Sequence, residues 1–198
     1  MVLRTSRTPY HNLYMNSHEW LYKWHYYNKY YDTLGFALLT LTSFLLPFVL
    51  GHPQFLVGTI INLLLFEAAL YLNFKKTLPI IIMPSLGALS RSILFGPYTV
   101  FLVYMIPFIW FGNLILVITT KTLHFKLKKN ILFSGLTAAL LKTLFLFLSA
   151  LLLFNLNLVP KIFLTAFGIN QFITATASLI ILYPSVLLRR KHFVIKRK

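Results

Sequence analysis

Apolar residues fall along this chain in six long blocks, at residues 33–50, 55–74, 78–95, 98–120, 131–154 and 162–188. A helix crossing the hydrocarbon core of a bilayer needs about 20 mostly apolar residues, so each block predicts one transmembrane helix. The interruptions agree. Gly51-His52-Pro53 stops the first block, Lys75-Lys76 the second, and Gly96-Pro97 parts the third from the fourth. A basic stretch at 121–129 separates the fourth from the fifth. The expected fold class is all-α: a bundle of six transmembrane helices preceded by an amphipathic interfacial helix. The expected segments are 1–32, a cytoplasmic aromatic and basic stretch; 33–188, the transmembrane domain; and 189–198, a basic cytoplasmic tail.

Composition explains why lipid is the solvent. The 198 residues are 58% hydrophobic and 11% charged, with a mean hydropathy of +0.76. A water-soluble domain this small leaves much of its area exposed and could not hide so much apolar surface. The net charge of +16 would suit nucleic acid if the cations formed a stripe on a polar domain. Here they flank the apolar blocks, so topology accounts for them and no nucleic-acid partner is expected. Lys and Arg concentrate on the cytoplasmic side of membrane proteins. Six crossings place Arg4, Arg7, Lys23 and Lys29 on one side, with Lys75, Lys76, Lys121, Lys126, Lys128 and Lys129. The same side receives Arg189, Arg190, Lys191, Lys196, Arg197 and Lys198, making sixteen of the nineteen basic residues. Lys161 is the one cation of the opposite loops. The expectation is a cell-membrane protein with both termini cytoplasmic; no small-residue cleavage site follows the first block, so a removable signal peptide is not expected.

Between Tyr10 and Tyr31 the N-terminal segment holds seven tyrosines and two tryptophans among His and Lys. Amphipathic aromatics favour the headgroup zone, which reads as an anchor lying in that plane. His11, His18 and His25 share a helical face, but a seven-residue spacing separates neighbours by about 10 Å, too far to share a metal ion.

Three ionisable residues fall inside the blocks: Glu67, Arg91 and Lys142. Helical rise puts Glu67 and Lys142 about 18 Å, and Arg91 about 16 Å, from a membrane face, close to the middle of a core about 30 Å thick. Charge at that depth is costly and marks a function or a packing ion pair. A Glu67 pair with Lys142 or Arg91 would fix helix packing. A polar pocket containing all three would retain one positive charge and suit an anionic group. The third block, with Pro79, Pro84 and Gly87 among serines, supports a cavity, because irregular backbone at membrane depth lines one. Asn113 and Asn170-Gln171 are further pocket candidates. Ala166, Asn170, Thr174 and Ser178 at every fourth position, and Gly135 with Ala139, mark close-packing faces.

Catalysis is not expected. The acidic residues are Glu19, Asp32 and Glu67 only, and cysteine is absent. A paired-carboxylate, two-metal or thiolate mechanism therefore lacks its groups at depth. No HExxH, GxSxG or phosphate-binding loop occurs, so no cofactor is expected and the chain cannot power pumping alone.

Ser85-Leu86-Gly87-Ala88-Leu89-Ser90-Arg91, then Gly96-Pro97-Tyr98-Thr99 and Pro107-Phe108-Ile109-Trp110-Phe111-Gly112-Asn113, resemble the centre of small membrane proteins akin to the substrate-binding S component of energy-coupling factor vitamin transporters. The resemblance implies a six-helix binder of a micronutrient-like small molecule. It also implies docking on a transmembrane coupling subunit and an ATPase module, with the ligand held beneath the loops joining helices one–two, three–four and five–six. Carried over by position, it singles out His52, Arg91, Tyr98 and Asn155. The first block departs from the family's four-residue spacing of small residues, having Gly35 and Ala37 instead. With Glu67, Lys142 and Asn113 from the depth argument, these are the candidate ligand-binding residues. The alternative is a scaffold or assembly protein whose buried polar groups serve helix packing and whose basic loops meet anionic lipid or a partner protein.

Overall fold

The computed structural model describes residues 29–50, 53–91 and 96–195. Six long helices and one short one form the bundle: α1 (Lys29–Leu50), α2 (Gln54–Tyr71), α3 (Phe74–Arg91), α4 (Leu102–Lys121), α5 (Ile131–Asn155), the short α6 (Ile162–Phe167) and α7 (Ile169–Ile195). No strand occurs among the described residues. Five of the helices are both long and apolar enough to span a bilayer, the pattern of a multi-pass membrane protein. The remaining long helix, α3, has 18 residues, about 27 Å of helix, with Lys75, Lys76 and Arg91 near its ends diluting its hydropathy. Of the interfacial segment expected at 1–32, residues 1–28 with the three spaced histidines lie outside the described residues, and residues 29–32 form the first turn of α1.

Short connections set the neighbours. Leu72 ends α2 in extended backbone, and Asn73 opens α3 by accepting the Lys76 N–H on its side chain at 2.9 Å. Two residues thus join α2 and α3 into an antiparallel hairpin. Asn73 explains why α3 begins four residues before the apolar block: a capping side chain starts the helix ahead of Lys75-Lys76. At the far end of α4, a widened turn closes with the Leu127 N–H on the Thr122 carbonyl at 3.0 Å. Asn130 then caps α5 through Leu132 N–H at 3.1 Å. Lys121 reaches across from α4 to donate to the Leu72 carbonyl at 2.6 Å, supplying a partner that the end of α2 cannot supply itself.

α1 packs on α3, α4 on α5, and α7 on both α2 and α5. Glycine permits the closest approaches. A Cβ on Gly87 of α3 would overlap the Phe44 carbonyl of α1, and one on Gly135 of α5 would sit 2.5 Å from Leu179 of α7. The outward surface is apolar: Leu34, Leu38, Leu41, Leu45 and Val49 of α1 all face out, the three-to-four spacing of one helical stripe. Such a surface suits acyl chains rather than water.

The buried apolar residues form two clusters, one towards each end of the bundle. The first joins Leu65 and Phe66 of α2 to Ile80 and Ile81 of α3, Leu116 and Val117 of α4, Ala138 of α5 and Leu179 of α7. The second joins Ala88 of α3 to Leu102 and Met105 of α4, Leu146 and Ala150 of α5, and Phe163 and Phe167 of α6. A buried polar residue stands at the change-over on α3, α4 and α5, at Ser85, Asn113 and Lys142, and Asn62 of α2 and Thr174 of α7 are buried polar residues beside them.

The sixth apolar block is not one helix. The Gly168 N–H closes α6 on the Leu164 carbonyl at 2.9 Å, and the Gly168 carbonyl restarts the helix by accepting from Gln171 and Phe172. The irregular backbone expected in the third block occurs here instead. Residues 74–91 remain helical through Pro79 and Pro84.

Candidate functional site

The polar layer is connected by hydrogen bonds. Lys142 is 3% exposed, and counting from either end of α5 places it about 17 and 20 Å along the helix. Its Nζ donates to Asn62 Oδ1 at 2.6 Å. The Asn62 amide donates in turn to Thr174 Oγ1 at 3.1 Å, and Thr174 donates to the Asn170 carbonyl at 2.8 Å. Three helices are thereby tied at mid-depth. Gly58, one turn before Asn62, lets α7 come close: its missing Cβ would lie 3.2 Å from Thr174 Cγ2.

A second set of bonds sits on α3 and α4. Pro84 has no N–H to give the carbonyl one turn back, and its ring crowds that carbonyl. Asn113 Nδ2 donates to the adjacent carbonyl, Ile81, at 3.1 Å. Trp110 Nε1 donates to Ser85 Oγ at 2.7 Å, and Ser85 passes its proton to the Ile82 carbonyl at 2.8 Å. These bonds tie α4 to α3 beside Pro84 and give the buried amide and hydroxyl groups their partners.

Between the two sets lies a cavity of about 100 Å³, partly open. Its polar lining is Asn62, Ser85, Asn113, Lys142, Asn170, Gln171, Thr174 and Gln54; its apolar walls include Pro47, Phe55, Leu102, Ile109, Leu146 and Phe167. Gln54, Phe55 and Leu102 lie at the helix ends joined by residues 51–53 and 92–101, and Phe167 lies in the short α6 that follows the loop 156–161. The polar layer is therefore the floor, and the cavity extends towards that end of the bundle. The break at Gly168 brings Asn170 and Gln171, the first turn of α7, to its wall.

Comparison with protein-family models, with curated proteins and with solved structures gave no match. The site therefore stands on its own geometry.

The structure brings Lys142 and Asn113 to the cavity wall. Glu67 lies elsewhere. Five residues beyond Asn62, it is turned about 140° around α2, half-buried beside Phe66 and Ala68 and off the cavity lining. The observed partner of Lys142 is Asn62. Tyr98 is 45% exposed in the turn Gly96–Phe101, its ring tilted against Phe101 at 6.5 Å, and Asn155 is exposed at the end of α5. His52 and the side chain of Arg91 lie outside the described residues. Asn62 is not among the residues singled out by the sequence, and Thr174 stands there as a packing residue. The signal that could have raised them is shared depth: each interrupts an apolar block near its middle, level with Lys142.

Proposed function

We propose that this protein is a membrane-embedded small-molecule binding or permease subunit that relies on a partner for energy. The observation carrying this reading is the cavity whose floor is the Lys142–Asn62–Thr174 chain. Side-chain amides commonly bridge membrane helices, but a buried lysine at depth is costly. This bundle keeps that lysine and five side-chain amides around an open space, beside a helix broken at Gly168. Broken helices at membrane depth accompany solute sites because freed backbone is tolerated where it lines a cavity.

The basic residues at 75–76 and 121–129 put that end of the bundle in the cytoplasm, with both termini on the same side and the cavity facing outward. In this reading the chain works as S components do. It presents a bound solute to a transmembrane coupling subunit driven by an ATPase module, since its own sequence has no nucleotide-binding loop. Lys142, Asn62, Asn113 and Thr174 hold the solute, and no catalysis is assigned.

Native mass spectrometry of the full chain released from lipid nanodiscs tests this. A small molecule that co-purifies with the wild-type protein and is lost from Lys142→Met supports the reading. Repeated isolation with lipid alone, in both proteins, leaves the scaffold role.

A further inference from the structure

We infer that the cavity takes a small monocarboxylate with a compact apolar body, its carboxylate seated on Lys142. This rests on the binding-subunit reading above. Among the described residues lining the cavity, Lys142 is the one ionisable side chain. The acidic residue of the transmembrane blocks, Glu67, is off that lining, so the described lining holds one cationic group and no anionic one. An ammonium has three donors, and Asn62 takes one of them. The remaining donors have no second side-chain acceptor that would match their charge. A ligand that brings one negative charge turns a lone cation at membrane depth, which is costly, into a hydrogen-bonded pair.

Charge and size narrow the class. A phosphate carries about −1.5 to −2 charges near neutrality and three strong acceptor oxygens, more than one lysine can match in a low-dielectric site. A carboxylate carries one charge. Beyond it, Asn113 and Gln171 offer neutral hydrogen bonds, while Ile109, Leu146 and Phe167 offer apolar wall. An apolar cavity of about 150 Å³ accommodates benzene. The cavity here is smaller, about 100 Å³, but partly open, so it suits a compact body of at most about six non-hydrogen atoms whose edge reaches into the opening.

The test uses the full-length protein in lipid nanodiscs, with calorimetric titration of four probes. These are benzoate and cyclohexanecarboxylate, each paired with its primary amide; inorganic phosphate is the fifth arm. The expected result is that each acid binds at least about tenfold more tightly than its amide, with phosphate not binding. Lys142→Gln is expected to remove that preference. The acid-to-amide comparison on the wild-type protein needs no variant and stands even if Lys142→Gln fails to fold. Amides binding as well as acids, or acid binding that survives in Lys142→Gln, overturns the monocarboxylate assignment and leaves the binding reading intact. Phosphate binding more tightly than the acids also overturns it. Silence from all five probes, in protein that is monodisperse and folded, overturns the assignment; if native mass spectrometry then finds lipid alone, the binding reading falls with it.

Discussion

Lys142 on α5 and Asn62 on α2 are 80 residues apart in the chain and 2.6 Å apart at their polar atoms. Each needs the other. Without Asn62 the lysine loses its hydrogen-bond acceptor, and without Lys142 the amide oxygen loses its donor. Asn62→Leu is expected to destabilise the bundle by about 1–3 kcal/mol, because removing one partner strands the other. Asn62→Leu with Lys142→Met should recover most of that loss, since replacing both partners by apolar groups is close to neutral. Unfolding in mixed detergent micelles measures the cycle. A double variant no more stable than Asn62→Leu would show the bond to be incidental.

Three helical glycines make a graded series. Gly87→Ala should cost about 1–3 kcal/mol, because the new methyl meets the rigid Phe44 carbonyl and α1 must move off α3. Gly58→Ala meets only the Thr174 side chain at 3.2 Å and should cost less. Gly35 has nothing within 4 Å, so Gly35→Ala should be neutral or stabilising by up to about 1 kcal/mol. The same micelle assay orders the three, and Gly87→Ala matching Gly35→Ala would contradict the close α1–α3 approach.

Gly168→Ala isolates the helix break. Its Cβ would sit 2.6 Å from the Leu164 carbonyl and 2.9 Å from the Phe147 ring, so the last turn of α6 must shift and carry Asn170 and Gln171 with it. The expected outcome is a fall in ligand affinity larger than the fall in stability. Parallel titration and unfolding measurements separate the two.

Topology gives a fourth expectation. Six crossings put both ends on one side, so a reporter fused after Lys198 should be active in the cytoplasm. A C-terminus outside the cell would mean that one of the six helices, α3 first among them, does not cross.

How much of this was legible from the residues varies by scale. Lipid imposes a length and a polarity on every crossing, so the blocks and their interruptions mark the helices well. Boundaries moved where a side chain intervened, as when Asn73 started α3 early. The break at Gly168 was hidden, because glycine is ordinary in membrane helices and the block is apolar on both sides. Pairing was hidden more deeply. Glu67 looked the natural mate for Lys142 on charge alone, but Asn62 sits on the face of α2 that meets α5 and α7. Helix rotation decides between two acceptors five residues apart, and rotation is set by packing glycines such as Gly58 rather than by local pattern.

The two-residue link at Leu72-Asn73 has a consequence for how the protein is made. α3 is the least apolar crossing, flanked by Lys75 and Lys76, and most of its middle is covered by α1, α2 and α4 rather than exposed. Nascent chain is sorted into the bilayer largely on the hydrophobicity of each segment, and on that measure this one is the weakest candidate. Bound tightly to α2, it enters as half of a hairpin, its polar start held at the surface while its partner supplies the pull. Lengthening that link should therefore harm insertion more than the same insertion at 156–161, even though both lie at the bundle's rim.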